Sequence, residues 1–305
     1  MSKKKGPFIP YHEGKVGNLY DLDGYPNTIL LQRTSRMSGL NAKILNEMPT
    51  KGMILNQLSQ WWLKGILKNI VANHLVDISS DFFTKNGLEE FRLNSSVVKK
   101  LTPIKCEAIV RNFLFGSGVG PYKETGKICG VELPEGLESG DKLPKPIFTP
   151  TEKTATDDHF TYNEMAELVG EETANQIRII TMTINKIASE FLAKRGIILV
   201  DMKLEFGFDE NGVLCLMDEV LTPDSCRFWD LESYYVEGKI VSKDKQKARD
   251  RLAKMKEEGL WDGVSDVALP DDLVAEMSKD YEEIFFDITG EKPVLSWYYV
   301  LYKTT

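Results

Sequence analysis

The stretch of sequence that decides the fold reads IILVDMKLEFGFDENGVLCLMDEV, from residue 197 to residue 220. Within it three charged residues, Asp201, Lys203 and Glu205, alternate with apolar ones. Successive side chains of a β-strand point to opposite faces, so the three charges share one face and the apolar residues share the other. The pattern predicts a strand that packs on a core and presents its charges to a site. The competing interpretation is a solvated strand face on which the charges alternate by chance.

A hairpin is predicted directly after this strand, which is followed by Asn211-Gly212 and a second strand over residues 213–220. Asn-Gly is the strongest short signal for a two-residue turn, in which both positions need a positive φ. Counting back along the ladder from such a turn places Glu205 directly opposite Asp218, on the same face. A four-residue loop would instead pair Lys203 with Asp218 as an ordinary cross-strand ion pair.

The predicted pairing of Glu205 with Asp218 indicates a metal site. Two opposed carboxylates repel, and one of them takes up a proton unless a cation lies between them. A hard divalent cation such as Mg²⁺, bound by one or two carboxylates together with substrate phosphates, relieves the repulsion. Lys203 on the same face is then a candidate phosphate ligand.

The composition narrows the class of protein. The chain has 305 residues, near the size at which one core gives way to two lobes. A net charge of −8 argues against a general nucleic-acid binder, and three histidines are few for a histidine metal site or a catalytic triad. No apolar run approaches the roughly 20 residues that span a bilayer, and residues 1–5 are basic without the apolar stretch of a signal peptide. We therefore expect a cytoplasmic enzyme with small-molecule substrates and without nucleic-acid or membrane partners, and the sequence leaves a homo-oligomer open.

The periodicity predicts an α+β protein with two lobes, divided into residues 1–115 and 116–305. The first lobe is predicted to contain strands over residues 19–22, 28–32, 97–101 and 108–115 and a helix over residues 53–70. Residues 116–161 are dense in Gly and Pro and are predicted to form long ordered loops, which usually serve ligands. A helix is predicted over residues 163–195, and Gly196 closes it. Two further helices are predicted over residues 244–258 and 271–289.

Further motifs occur in a fixed order along nearly the whole chain. They are residues 51–52 and 58–59, EAIVR at 107–111 with Gly116-Ser117, Thr125-Gly126, LPEGL at 133–137, PIFTP at 146–150 with Lys153, LVDMKLEFG at 199–207, Asp218-Glu219, TPDSCRFW at 222–229, and DKQ at 244–246 with Arg249. In this order they resemble the SAICAR synthetase family.

The resemblance implies a two-lobed fold, with a small antiparallel-sheet N-terminal lobe and a larger ATP-grasp-like C-terminal lobe. It also implies an ATP-dependent and Mg²⁺-dependent ligase of purine biosynthesis, which joins the carboxylate of carboxyaminoimidazole ribotide to the amine of L-aspartate. A carboxylate is a poor electrophile, and phosphorylation converts it to an acyl phosphate that an amine can attack. Such a site must neutralise a triphosphate and hold two further anions in line.

By this resemblance Glu205 and Asp218 hold Mg²⁺, and they contribute to the ATP site together with Lys203. Lys203 is also implied to be catalytic, with Asp201 and Arg227. The segment Gly14-Lys15-Val16-Gly17 resembles the family's phosphate-covering loop, in which glycine lets backbone N–H groups approach an anion. On its own, a G-x-x-G pattern is more typical of a plain turn.

The resemblance assigns the ribotide's phosphate and carboxylate to Arg111, Ser117 and Arg227, because the planar fork of Arg engages such anions with two hydrogen bonds. Lys153 and Arg249 match basic residues near the substrates. Without the surrounding motif, Arg111 would be interpreted as forming a salt bridge to Glu107, and Ser117 as an ordinary loop hydroxyl. Lys153 and Arg249 would be interpreted as solvated surface charges. His159 matches a family histidine and is equally well read as a loop histidine.

The chain departs from the family pattern at several positions. The family usually has Arg or Lys at Gly17, and Asp or Thr at Asn18. Three positions that are acidic in the family are here Ser35, Asn41 and Phe160. These positions lie in segments that the family places near the acceptor and the incoming amine. Two other hypotheses therefore stay open: a paralogue with a different carboxylate or amine substrate, and a nucleotide-binding protein without ligase activity.

Overall fold

A computed structural model describes residues 9–153 and 159–296 of the chain, so the basic start at residues 1–5 lies outside the described part. The strands are β1 (His12–Glu13), β2 (Gly17–Asp21), β3 (Thr28–Arg33), β4 (Arg36–Gly39), β5 (Ala42–Glu47), β6 (Ser95–Lys99), β7 (Thr102–Phe113), β8 (Lys127–Ile128), β9 (Val131–Glu132), β10 (Lys142–Phe148), β11 (Thr151–Glu152), β12 (Ile197–Phe208), β13 (Leu214–Met217) and β14 (Cys226–Asp230). The α-helices are α1 (Lys51–Lys64), α2 (Phe82–Lys85), α3 (Val119–Thr125), α4 (Tyr162–Val169), α5 (Glu171–Ala193), α6 (Leu231–Tyr235), α7 (Gln246–Glu257) and α8 (Asp271–Thr289). The predicted α+β class is confirmed.

The first lobe contains a four-stranded antiparallel sheet in the order β1-β2-β3-β6. Helix α1 packs against β3 and β6, and its apolar residues Ile54, Leu58 and Trp62 are fully buried at the i, i+4, i+8 spacing of one helix face. Burying a side chain of this size contributes roughly 1.5–3 kcal/mol to stability. This packing fixes β3, whose last residue, Arg33, reaches the charged site described below.

The second lobe is built on a six-stranded antiparallel sheet in the order β10-β7-β12-β13, with β11 paired to β7 and β14 paired to β12. Helix α5 covers one face of β12 and β7. Its buried apolar residues Ile177, Ile184 and Leu192 join Met202 and Leu204 of β12 in the main core. The opposite face of the sheet is left to carry polar groups.

The predicted boundary at residues 115 and 116 separates β7 from the strands that it pairs with. β7 precedes that boundary in the chain, yet it forms ladders with β10, β11 and β12 of the second lobe. The division of the chain stays a prediction, and these ladders lead us to propose that it lies before β7, between residues 99 and 102.

β12 contains a β-bulge that changes which side chains face the core. Its pairing with β14 shifts register between Leu199 and Asp201. Leu199 and Met202 both pack in the main core although they are three residues apart, whereas Val200 packs with Trp229 in a separate cluster. A bulge inserts one residue and re-aims the side chains that follow it. The charged residues after the bulge therefore lie opposite the main core.

The predicted register of the β12–β13 hairpin is wrong. Glu205 pairs with Met217 rather than with Asp218, and the ladder ends in a three-residue loop closed by the hydrogen bond from Asp209 N to Val213 O, 3.0 Å. The loop is thus one residue longer than predicted, and β13 ends at Met217 instead of residue 220.

The dihedral angles of the loop explain the shift. Gly212 has φ +74°, but Asn211 is absent from the positive-φ residues of the described chain, so the loop is not the two-residue turn that Asn-Gly favours. A glycine in the left-handed region at the third loop position is typical of three-residue hairpin loops. The carboxylate of Asp209 stabilises this arrangement by accepting hydrogen bonds from the backbone N–H groups of Asn211 and Val213, both at 3.0 Å.

The other predicted strands and helices exist in the structure with shifted ends: the strand predicted over residues 108–115 is β7, and the helix predicted over residues 244–258 is α7. Three segments differ further, and one helix agrees to the residue. α1 ends at Lys64 rather than at residue 70, and the helix predicted over residues 163–195 is divided into α4 and α5 at Gly170, which has φ +85°. The predicted loops of residues 116–161 include α3 and the short strands β8–β11, and residues 154–158 of this segment lie outside the described residues. The helix predicted over residues 271–289 is confirmed as α8. In the described part of the chain, no helix combines the length and the apolar character that crossing a bilayer requires.

Candidate active site

β7 lies beside β12 in the sheet, so its side chains extend the charged face of β12, and the predicted sharing of this face by three residues is confirmed. Asp201 pairs in the ladder with Arg111, and Glu205 pairs with Glu107. Lys203 lies between them and contacts both glutamates. Two clusters result: one around Lys203 and Glu205, and one around Asp201.

In the first cluster, the ammonium group of Lys203 lies between the carboxylates of Glu107 and Glu205. Lys203 Nζ lies 2.6 Å from Glu107 Oε1 and 3.3 Å from Glu205 Oε1. Lys153 Nζ forms an ion pair with the other oxygen of Glu205. Burial acts to lower the pKa of Lys203, but the attraction of Glu205 and Glu107 outweighs it and raises the pKa, so the side chain is charged.

Asp218 reaches the same cluster although it does not pair with Glu205. It follows β13 with φ +63°, a conformation that Asp tolerates better than most residues. Its Oδ1 accepts a hydrogen bond of 2.6 Å from Arg33 Nη1, and Glu219 Oε1 lies 3.6 Å from the same nitrogen. Burial acts to raise the pKa of Asp218, but Arg33 and then Lys203 outweigh it and lower the pKa.

Glu205 and Asp218 still repel each other. Burial, followed by the charge of Asp218, raises the pKa of Glu205. The described residues contain no group of three or more His, Cys, Asp or Glu side chains that could hold a metal ion. Mg²⁺ is nevertheless commonly held by one or two carboxylates plus substrate phosphates, and this carboxylate pair fits such a donor set.

The second cluster gathers arginines around Asp201. Arg227 Nη1 donates a hydrogen bond of 2.6 Å to Asp201 Oδ2, and Arg111 Nη1 lies 3.7 Å from the same oxygen. Arg111 also donates to Ser117 Oγ through Nη2 and to Thr149 Oγ1 through Nε, both at 3.0 Å. The predicted alternative of a salt bridge from Arg111 to Glu107 is wrong, because Glu107 pairs with Lys203.

Arg249 extends this cluster from α7. Its Nη1 lies 3.4 Å from Gln246 Oε1 and 3.8 Å from Asp244 Oδ1, and Gln246 Oε1 also accepts from Arg227 Nε at 3.0 Å. Burial, followed by repulsion from Arg227, lowers the pKa of Arg249. Three guanidinium groups thus contact two carboxylates, those of Asp201 and Asp244, so the cluster has the positive charge to bind an anion.

The segment Gly14-Lys15-Val16-Gly17 forms the loop between β1 and β2, where Gly14 N donates to Gly17 O at 2.8 Å. The side chain of Lys15 is exposed. Gly17 pairs with Arg33 in the ladder, and Arg33 binds Asp218, so the loop lies next to the carboxylate pair.

The residues that depart from the family pattern make other contacts. Ser35 Oγ donates to a carboxylate oxygen of Glu47, Asn41 lies in the exposed β4–β5 turn with φ +66°, and Phe160 packs on the main core. His159 Nε2 lies 3.3 Å from Ser117 Oγ.

Sequence reasoning missed Arg33 and Glu107 as members of the site. Their partners there are distant in sequence: Asp218 lies 185 residues after Arg33, and Lys203 lies 96 residues after Glu107. The only local signal for Arg33 is its place at the end of a predicted strand.

Comparison with known proteins identifies the family of the chain. A sequence profile of the SAICAR synthetase family matches residues 10–263. The phosphoribosylaminoimidazole-succinocarboxamide synthase of Cupriavidus metallidurans is 40% identical over 285 residues, which cover 92% of this chain and 93% of that protein. The protein of the same name from Thermodesulfovibrio yellowstonii is 41% identical over 283 residues, covering 91% and 94%.

Solved structures give the same result. The SAICAR synthase of Saccharomyces cerevisiae in complex with SAICAR has a TM-score of 0.81 and 34% sequence identity, covering 96% of this chain and 98% of that one. A SAICAR synthetase in complex with ADP has a TM-score of 0.68 and 27% identity, covering 93% and 99%. Together, the two-lobed fold, the matching profile and the relatives of nearly equal length show that this chain belongs to the SAICAR synthetase family.

Proposed function

We propose that this protein is an ATP-dependent ligase of purine biosynthesis that joins the carboxylate of carboxyaminoimidazole ribotide to the amine of L-aspartate. The observation that carries the proposal is the single strand β12, which presents an acidic cluster suited to a metal nucleotide beside an arginine cluster suited to an anion. Relatives named for this activity align over more than nine tenths of the chain. One neighbouring structure contains ADP, and another contains SAICAR.

The first cluster is proposed to bind Mg²⁺ and ATP. Glu205 and Asp218 would hold the cation, which supplies positive charge against the phosphate oxygens when it is bound. Lys203 and Lys153 neutralise Glu205 in the structure, and their ammonium groups are available to phosphate oxygens once the cation takes over that task. Gly14 and Lys15 of the β1–β2 loop complete the proposed ATP site.

The second cluster is proposed to bind the ribotide. Arg111, Arg227 and Ser117 provide the donors for its phosphate and carboxylate, and Arg249 adds a further positive charge. Asp201 orients Arg227 through the 2.6 Å hydrogen bond and keeps two guanidinium groups on one side of the strand.

The proposed reaction proceeds in two steps. A carboxylate oxygen of the ribotide attacks the terminal phosphorus of ATP, which forms an acyl phosphate and releases ADP. The aspartate amine then attacks the acyl carbon and loses a proton as phosphate leaves. Lys203 stabilises the charge on the phosphoryl oxygens, because an ammonium group in a site of low dielectric interacts more strongly than in water.

The test is ADP release by the purified protein with ATP, Mg²⁺, the ribotide and L-aspartate. We expect turnover that requires all four, and a loss of kcat of at least 100-fold in Glu205→Gln, a size typical for removal of one electrostatic group. Glu210→Gln, on the exposed part of the same hairpin, is the matched control and should retain full activity.

Two results would decide against this assignment. Turnover with another carboxylate or amine, but none with this pair, would favour the paralogue that Ser35, Asn41 and Phe160 leave open. Full activity of Glu205→Gln would rule out Glu205 as a metal ligand.

We also propose a cytoplasmic location. The four cysteines of the chain are free thiols in the structure, which is their expected state in a reducing compartment.

A further inference from the structure

The β1–β2 turn has a backbone that needs support from outside the turn. The ladder ends with Glu13 opposite Asn18, and the hydrogen bond from Gly14 N to Gly17 O closes a loop with two central residues. Two-residue hairpin loops normally have positive φ at one or both central positions, because only then does the turn match the twist of the strands. None of the positive-φ residues in the described chain falls between residues 14 and 17.

The side chain of Arg36, at the start of β4, supplies this support. Its Nη2 donates to Gly14 O at 2.9 Å and to Gly17 O at 3.2 Å, and its Nε donates to Lys15 O at 3.3 Å. The remaining carbonyl of the loop, Val16 O, accepts from the backbone and hydroxyl of Thr34, two residues before Arg36. All four carbonyls of the loop are therefore held from the side of the β3–β4 connection.

Two further contacts fix the guanidinium itself. Nη1 forms an ion pair of 3.0 Å with Glu13, and Nη2 donates to Asn18 Oδ1 at 2.6 Å. Asn18 in turn donates to Gln32 Oε1 at 2.9 Å. Arg36 thus engages residues on both sides of the loop, and only a planar group with several donors can do so at once.

The positions of the carbonyls determine where the loop's N–H groups point. In a planar trans peptide, the N–H points opposite to the C=O of the preceding residue, and no peptide bond in the described chain is cis. Because Gly14 O and Lys15 O face Arg36, the N–H groups of Lys15 and Val16 point away from it. Neither N–H donates a hydrogen bond to any described residue.

We propose that Arg36 is a positioning residue that turns the carbonyls of residues 14–17 inward and so presents the N–H groups of Lys15 and Val16 to nucleotide phosphates. Successive N–H groups that share one direction form an anion-binding concavity. The inference rests on the proposed function, since it takes ATP as the ligand. Arg36 acts through the loop and does not itself touch the nucleotide.

The test compares Arg36→Lys and Arg36→Gln with wild type in the binding of ADP and of adenosine, in the presence of Mg²⁺, by calorimetry. We expect ADP affinity to fall at least tenfold and adenosine affinity to change less than twofold, because the loop contacts only phosphates. The KM for ATP should rise by a similar factor, while kcat at saturating ATP and the KM for the ribotide stay within twofold. Equal weakening of ADP and adenosine, or unchanged ADP affinity, would overturn the inference.

Arg92→Lys is the matched control. Arg92 is also partly buried in the first lobe and donates to Ser80 O, Thr84 Oγ1 and Glu89, so its replacement removes a similar set of hydrogen bonds away from the loop. It should leave ADP affinity within twofold of wild type. A loss equal to that of Arg36→Lys would mean that general damage to the lobe is the cause, and would also overturn the inference.

Hydrogen exchange in the nucleotide-free protein separates this inference from the proposed function. Arg36→Lys should speed exchange of the Gly14 amide at least tenfold and leave the amides of β3 unchanged. Unchanged exchange at Gly14 overturns the inference whatever the nucleotides do. If wild type binds no ADP, the proposed function fails and takes the phosphate role of Arg36 with it, while faster exchange at Gly14 still supports its control of the loop.

Discussion

Arg33 places a positive charge on a buried side chain beside the carboxylates of the first cluster. It is 5% exposed, donates to Asp218 and lies 3.6 Å from Glu219. Burial acts to lower its pKa, but the two carboxylates outweigh that effect and raise it. A charged guanidinium in this place acts on the titration of Asp218, Glu219 and His74.

We predict that His74 stays neutral well below the usual pKa of histidine. Burial, followed by repulsion from Arg33, lowers its pKa to about 3, against about 6.5 in an unfolded chain. Between these values the unfolded chain binds a proton at this residue and the folded chain does not, so His74 makes folding less favourable as the pH falls through this window. From pH 7 to pH 5, the free energy of unfolding of wild type should fall by about 2 kcal/mol relative to His74→Gln, at 1.36 kcal/mol per pH unit below 6.5.

Urea unfolding of both proteins at the two pH values measures this difference, and the variant cancels the contributions of other groups. A constant difference would contradict the burial of a neutral imidazole. A titration of the His74 ring by NMR should likewise show no protonation above about pH 4.

Individual site residues were predictable from sequence only where the pattern is local. The shared face of Asp201, Lys203 and Glu205 follows from strand alternation alone. The partners that complete it do not, because Glu107 lies 96 residues before Lys203, and 185 residues separate Arg33 from Asp218. Such pairs depend on how strands assemble, and no local pattern contains that information.

At the scale of elements, the β12–β13 loop shows how one residue changes a register. We predict that Gly212→Ala lowers the free energy of unfolding by about 1–2 kcal/mol, the cost of placing a residue with a Cβ in the left-handed region. A Cβ at Gly212 would meet no atom within 4 Å, so the backbone conformation alone causes the loss.

The matched control is Asn211→Ala in the same loop. Asn211 is exposed and does not have a positive φ, so its replacement should cost less than about 0.5 kcal/mol. Chemical denaturation of the two variants measures both values. Equal losses would contradict the three-residue loop.

Helix and strand existence was predicted better than element ends. α8 begins and ends where its periodicity indicates, because its apolar residues keep one spacing throughout. The helix predicted over residues 163–195 keeps its apolar spacing across Gly170, so only the positive φ of that glycine reveals the break. The strands β4, β5 and β14 were missed because segments this short offer too few positions for an alternating pattern to be recognised.

At the scale of the whole molecule, Arg33 of the first lobe contacts Asp218 of the second, so the proposed nucleotide site exists only in the folded protein. We predict that ADP with Mg²⁺ stabilises the protein, by about 2.7 kcal/mol when ADP is at 100 times its dissociation constant. Removal of Mg²⁺ with a chelator should abolish most of this gain. In Glu205→Gln the gain should be small with or without Mg²⁺, whereas Glu210→Gln should behave as wild type.

Thermal unfolding with and without chelator measures these shifts. A gain from ADP that is indifferent to Mg²⁺ in wild type would contradict the proposed metal ligands Glu205 and Asp218. The two-lobed architecture and the family were predictable because the family's motifs occur in order along nearly the whole chain. The position of the lobe boundary depends on which sheet β7 joins, and the sequence of β7 indicates a strand without indicating its partners.

The placement of both clusters on β12 makes this strand a ruler. Asp201 and Glu205 are four residues apart, and a strand rises roughly 3.3 Å per residue, so about 13 Å separates the end that holds arginines from the end suited to a cation. No movement of one lobe against the other alters a distance that lies within a single strand. Under the proposed function, a metal nucleotide and a ribotide would engage both clusters together only if their reacting groups span this fixed length. Insertion of one residue between Asp201 and Glu205 would not merely lengthen the scale but would also turn one end of it into the core.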